Sequence, residues 1–301
     1  MRWLMGLAVL LALARPAGAA EQELELSVDG RTTLATLRTP GAMRPDTPLV
    51  VMTHGTLAHK DMEVIQGVAK ALEQRGIASI AHTLSLGLDR RKGMYDCAAR
   101  HDHVIEDAVA ENGAWVARAR GMSRLVIAFG HSRGGNQVVR YLAASETPPV
   151  AGAVLLAPVT AKAEADLRAS YAQTYGKPLE PSLELATKAI AAGRGGEWMD
   201  VPGFIYCRNA VVTARALMSF YGPDAGQDTA ALVARVKPPV LVLAATKDTV
   251  VPDVAASFAS LAGSSGGRVQ LDSIEDADHF FRDLFAEDVA DRIAEFVNQI
   301  R

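Results

Sequence analysis

The chain has 301 residues and a formal net charge of −3, with 49% hydrophobic and 22% charged residues. That length suits one large α/β domain or two modest ones, and the composition is that of a globular protein. It carries no basic excess or basic stripe of the kind that neutralises phosphates, so nucleic acid is not an expected partner.

Arg2 precedes a short apolar run, Trp3 to Leu13; Arg15-Pro16 breaks it, and small residues follow through Ala20. An export signal has this pattern, with Ala17-Gly18-Ala19 or Gly18-Ala19-Ala20 as the small-x-small cleavage site. Residues 1–20 are therefore expected to be a signal peptide and 21–301 a secreted or periplasmic domain. The run falls short of the roughly 20 apolar residues that span a bilayer, so no stable membrane anchor is expected. The mature chain opens on Leu24, Leu26 and Val28 in alternation, turns at Asp29-Gly30 and returns through Thr33 to Thr39, which predicts a β-hairpin.

From Pro48 onward strands and helices alternate. Apolar runs at Pro48–Thr53, Ile77–Ala81, Arg124–Phe129, Ala153–Ala157 and Pro239–Ala245 predict strands buried on both faces, and Arg268–Leu271 a short sixth. Helical spacing appears at Met62–Gln74, Val104–Arg120, Asn136–Ala144 and Glu287–Ile300. This alternation predicts a parallel sheet with helices on both faces. Pro158 to Pro238 shows no clear buried strand; it is rich in Ala, Leu and charged residues, with breaks at Gly176-Lys177-Pro178 and Gly193 to Gly196. The expectation there is a helical cap insertion, about 158–238, above the sheet edge.

Chemistry concentrates at Gly130-His131-Ser132-Arg133-Gly134-Gly135, which follows a strand and precedes a helix. That is the G-x-S-x-G elbow in its required context: a turn too sharp for side chains at its glycines, with Ser132 at the tip as nucleophile. A serine hydroxyl needs a base, and the base needs a group to orient it. Asp248 lies just past the strand ending at Ala245, and His279 follows the last short strand. Both therefore fall at the carboxyl ends of strands, where open α/β sheets place their sites. Asp276 and Asp278 are rival acids on the histidine's own loop. No carboxylate directly follows Ala153–Ala157; Glu164, the first one there, falls in a helical stretch. An oxyanion needs two backbone N–H donors. Arg133 is expected to supply one, and the His54-Gly55-Thr56-Leu57 loop the other, from Thr56 or else Leu57. His54 is expected to brace that loop by hydrogen bonding.

His54-Gly55, the Gly130–Gly134 elbow, Asp248 and His279, in this order, resemble the α/β-hydrolase superfamily over roughly Pro45 to the C-terminus. The likeness is to its serine esterases and dienelactone-hydrolase-like members. The resemblance implies an eight-stranded, mostly parallel α/β-hydrolase sheet, with the Thr83–His103 loop and the 158–238 insertion shaping specificity. It implies hydrolysis of a small-molecule ester through an acyl-enzyme on Ser132, without a cofactor. A peptidase or amidase using the same residues, and a non-catalytic binding protein on the same fold, are the alternatives. A serine nucleophile speaks against dehalogenation, and the His-Gly-Gly-Gly loop of one lipase and esterase group is missing.

The Thr83–His103 loop carries Asp89-Arg90-Arg91-Lys92, expected as a solvated charged run, with a basic wall that receives an anionic substrate as the alternative. Cys97, His101 and His103 form an incomplete ligand set, so no metal is expected. Cys97 and Cys207 are the chain's two cysteines. In an oxidising compartment they allow one disulfide, which would tie the mouth loop to the insertion as a rigid cap; two separate buried thiols are the alternative. The insertion's aromatics, Trp198, Phe204, Tyr206, Phe220 and Tyr221, either line an apolar acyl pocket or pack the insertion's own core, the commoner outcome.

Overall fold

The computed structural model describes residues 20–144, 150–223 and 226–301. Apart from Ala20, the expected signal segment lies outside the described residues. Strands β1 (Ala20–Val28) and β2 (Arg31–Thr39) form the leading hairpin, turning at Asp29 and Gly30, both at positive φ. Then come β3 (Leu49–Thr53), α1 (Glu63–Gln74), β4 (Ala78–Thr83), α2 (Ile105–Arg120), β5 (Val126–His131), α3 (Arg133–Ala143) and β6 (Gly152–Leu156). The insertion holds α4 (Ala161–Ala169), α5 (Tyr171–Tyr175), α6 (Glu180–Ala191), β7 (Trp198–Phe204), β8 (Cys207–Thr213), α7 (Ala214–Tyr221) and α8 (Thr229–Val233). The chain closes through β9 (Val240–Ala245), α9 (Val254–Ser264), β10 (Val269–Ile274) and α10 (Leu284–Gln299).

Eight strands form one sheet in the order β1-β2-β4-β3-β5-β6-β9-β10. β2 runs antiparallel to β1 and β4, and every other neighbouring pair is parallel. The two-residue side-chain period of a strand explains the apolar runs. Leu49 and Val51 enter the core on one face, with Trp115 and Phe258, while Val50 and Met52 enter the other, with Phe129 and Phe296. A sheet buried on both faces leaves its carboxyl edge as the place where loops meet solvent. There the insertion sits on a third apolar cluster that includes Phe204, Leu217 and Phe220.

Two expectations need correction. The insertion is not helical throughout, because β7 and β8 pair as an antiparallel hairpin. Its first strand is broken in hydropathy by Asp200, Pro202 and Gly203 and is buried mainly at its end, so it offers no apolar run to read. The second correction is α9, which has no counterpart among the expected helices. Its apolar stripe is thin: of Val254–Ser264 only Val254 and Phe258 are buried, among small residues that show little periodicity.

Cys97 and Cys207 are joined by a disulfide, with their Cα atoms 5.2 Å apart. Hydrogen bonds from His101 N–H to Val211 O (2.8 Å) and from Thr213 N–H to His101 O (3.0 Å) sew the same loop to β8. His101 and His103 are buried among Tyr95, Phe204 and Phe220, with Tyr95 stacked on His101 at 4.6 Å. Among the described residues no group of three His, Cys, Asp or Glu side chains stands close enough to hold a metal. No described helix is long and apolar enough to cross a membrane.

Candidate active site

Ser132 is the single residue between β5 and α3, at φ 56° and ψ −125°. A non-glycine residue rarely adopts that backbone, and it needs neighbours that fix it. The Ser132 N–H donates to Leu156 O on β6 at 2.9 Å, and the Gly135 N–H donates to Ser132 O at 2.9 Å. A Cβ on Gly130 would lie 2.4 Å from the Gly134 backbone, and one on Gly134 would lie 2.4 Å from His54 O. Only hydrogen fits at either place. Helix α3 begins at Arg133, three residues earlier than its periodicity suggests, so its N-terminus lies directly behind the serine. That end of a helix favours negative charge.

His279 and Asp248 meet from separate loops. The His279 Nδ1–H donates to Asp248 Oδ2 at 2.7 Å, and both side chains are almost fully buried. The other carboxylate oxygen of Asp248 accepts from the N–H groups of Val250 (2.7 Å) and Val251 (2.8 Å). Burial alone would raise this carboxyl, but the hydrogen bond and charge of His279, with those two N–H groups, hold it below the usual range. The rival acids face elsewhere. Asp276 pairs with Lys247 at 2.7 Å, while Asp278 caps the Phe280 N–H at 2.8 Å. Beside the pair, the His131 Nε2–H donates to His279 O at 2.9 Å. Burial, then the charge of His279, lowers His131 to about 3, so it stays neutral as a fixed donor.

The loop after β3 lies against the serine: a Cβ on Gly55 would sit 3.2 Å from Ser132 Cβ. Thr56 shares a cavity with Ser132, whereas Leu57, at φ 56°, is buried in the insertion's apolar cluster. His54 donates from Nδ1 to Gly55 O at 2.8 Å and accepts the Leu84 N–H at Nε2, 3.0 Å. Burial first, and then the charge of Arg91, hold it well below its ordinary pKa, which suits this neutral tautomer. Arg91 itself departs from the expected solvated run. It is buried, and its guanidinium donates to Leu84 O (2.7 Å), Gly93 O (2.7 Å) and Ala58 O (2.6 Å). Beside these backbone carbonyls its Nη2 donates to His54 Nε2 at 3.2 Å; Ala58 and His54 are both distant in sequence, so residue types alone give no sign of them.

Ser132 and His279 open onto a cavity of about 340 Å³. Met62, Val64, Ile65, Met94, Val250 and Phe280 give it an apolar wall, and Tyr206 reaches in from the insertion. Tyr206 follows Ile205 in the two-residue turn between β7 and β8. Both have positive φ, 46° and 73°, a turn normally left to Asn and Gly. Phe204 and Phe220 do pack the insertion's core, but Tyr206 is half exposed and belongs to the cavity. The sequence leaves pocket and core both open for this residue, since nothing in it marks a strained turn built from Ile and Tyr.

A buried Asp–His pair whose histidine lines the same cavity as a serine on a strained strand-to-helix turn, at the carboxyl edge of this sheet, is the arrangement of the α/β-hydrolase class. Residues 45–282 match the family described as "Serine aminopeptidase, S33", and the chain belongs to that family. Among solved structures, Est1E from Butyrivibrio proteoclasticus is similar at TM-score 0.59 and 19% identity, over 94% of this chain and 99% of that one. The α/β hydrolase GrgF from Penicillium sp. is similar at 0.64 and 18%, over 93% and 98%. A dienelactone hydrolase from Anabaena variabilis is similar at 0.54 and 17%, over 93% and 98%. At these identities the likeness is one of fold. No curated protein matches the chain in sequence.

Proposed function

We propose that the protein is a serine esterase that cleaves a small-molecule ester with an apolar acyl or alcohol portion, after export to a periplasmic or extracellular space. The observation that carries this reading is the Asp248–His279 hydrogen bond, which lies behind a cavity that His279 and Ser132 both line. With Nδ1–H engaged by Asp248, the Nε2 of His279 is left as the base. It takes the Ser132 proton as Oγ attacks the ester carbonyl, and returns it to the departing alkoxide. The N–H groups of Arg133 and Thr56 hold the oxyanion, beside the N-terminus of α3. Water then attacks the acyl carbon while giving a proton to His279, which passes it to the departing Ser132 Oγ, and the acid leaves with the enzyme restored. No step requires a cofactor.

The family's description names an aminopeptidase, and a peptidase would use the same groups. An aminopeptidase must also hold a free α-ammonium, yet among the described residues no carboxylate lines this cavity. Its apolar wall and lack of a counter-ion favour a neutral ester. The test is turnover on p-nitrophenyl esters of graded chain length beside aminoacyl p-nitroanilides, for the mature protein and Ser132→Ala. Ester turnover reduced at least about a thousandfold in the variant is expected. Anilide turnover that exceeds ester turnover would favour the peptidase.

A further inference from the structure

The backbone of Arg133 is one proposed oxyanion donor, but its side chain has a separate set of contacts. Nε donates to Thr56 Oγ1 at 3.1 Å, Nη1 to Gln227 Oε1 at 3.0 Å, and Nη2 to Glu164 Oε1 at 2.6 Å. The guanidinium carbon lies 5.8 Å from the centre of the Phe220 ring. Glu164, Phe220 and Gln227 all belong to the insertion, and Thr56 belongs to the loop after β3. A single guanidinium therefore joins the nucleophile elbow, the oxyanion loop and the insertion.

The neighbours of Thr56 in that loop are held through their carbonyls: Gly55 by His54, Leu57 by the Tyr95 N–H, and Ala58 by Arg91. Thr56 itself is held through its hydroxyl by Arg133. We propose that the Arg133 side chain is the positioning residue for the Thr56 N–H, and that Glu164 fixes Arg133 in that role. The inference rests on the serine-esterase reading above. An oxyanion donor works only when it is aimed at where charge develops, and small misplacements are costly. Arg133 and Glu164 side chains are 9% and 15% exposed, so the guanidinium needs its carboxylate partner to remain buried there. Its flat fork reaches three acceptors in three directions, which a lysine ammonium on a flexible stem does not reproduce. The insertion would then support the catalytic loop as well as wall the cavity.

The test is steady-state kinetics on one p-nitrophenyl ester for wild type, Arg133→Met, Arg133→Lys, Thr56→Val and the Arg133→Met/Thr56→Val double variant, with thermal melts as the folding control. Both Arg133 variants and Thr56→Val should lose about tenfold to a hundredfold in kcat, with KM within about threefold, because the contact matters only in the transition state. The double variant should be no worse than Arg133→Met alone, since both changes remove the same contact. Losses that multiply, or a raised KM at unchanged kcat, would overturn the proposal. If Arg133→Met does not fold, Thr56→Val decides: unchanged kcat refutes the brace, and the expected fall supports it. A folded wild type inert to every ester would instead overturn the esterase reading on which the brace depends.

Discussion

Removing the disulfide between Cys97 and Cys207 should lower stability substantially. The bond spans 110 positions. The loop-closure relation, −2.1 − 1.5R ln n, then gives roughly 16 cal/mol/K, or about 5 kcal/mol at 25 °C. For a domain of this size each kcal/mol moves the midpoint by about 2–4 °C, so a fall on the order of 10–20 °C is expected. The hydrogen bonds from His101 and Thr213 remain in the variant, so the insertion should loosen rather than detach. Calorimetry of Cys97→Ala/Cys207→Ala against wild type, at neutral pH and equal concentration, measures the effect, with thiol titration of the wild type as the companion assay. The same variant tests a link to the site. Cys207 directly follows the strained turn Ile205-Tyr206, so freeing it should relax Tyr206 and change KM for bulky esters more than for acetate. An unchanged midpoint, or two titratable thiols in protein from an oxidising compartment, would refute the reasoning.

Gly130→Ala should abolish turnover and destabilise the fold by about 3 kcal/mol or more, because the added Cβ would meet rigid backbone at 2.4 Å; a denaturant melt beside an ester assay checks both effects. Asp248→Asn should lower kcat by about four orders of magnitude through the wrong histidine tautomer, with little change in the melting midpoint. The fold should weaken in acid. Burial lowers His82 to about 4, and His103 and His131 to about 3, so these groups are neutral when folded and gain protons more readily when unfolded. Their contribution is complete above about pH 6.5 and declines as pH falls from there towards the folded values. At pH 5 each should cost about 2 kcal/mol, and equal urea midpoints at pH 7 and pH 5 would contradict it.

The sheet was legible because a strand buried on both faces must be apolar at every position, as Leu49–Thr53 and Val240–Ala245 are. The approach of Asp248 to His279 was legible because strand-to-helix alternation puts both loops on one edge, and because a serine elbow narrows which residue types belong there. The two-stranded hairpin in the insertion was hidden because one face meets solvent and Pro202-Gly203 interrupts the first strand. Arg91 was hidden in another way. Between Arg90 and Lys92 it reads as one more surface charge, yet its side chain is buried on carbonyls that only the folded loop brings together. The link from Arg133 to Thr56, Glu164 and Gln227 has the same origin: elements remote in sequence converge on a side chain whose local context suggests only its backbone role.

The central claim is that Ser132 is an activated nucleophile. Incubating the mature protein with a fluorophosphonate, then measuring intact mass and mapping the modified peptide, tests it without knowledge of the natural substrate. A single adduct on Ser132, absent from Ser132→Ala and strongly slowed in His279→Ala, is the predicted result. An unlabelled wild type, or a Ser132→Ala variant that labels as fast as wild type, would contradict it.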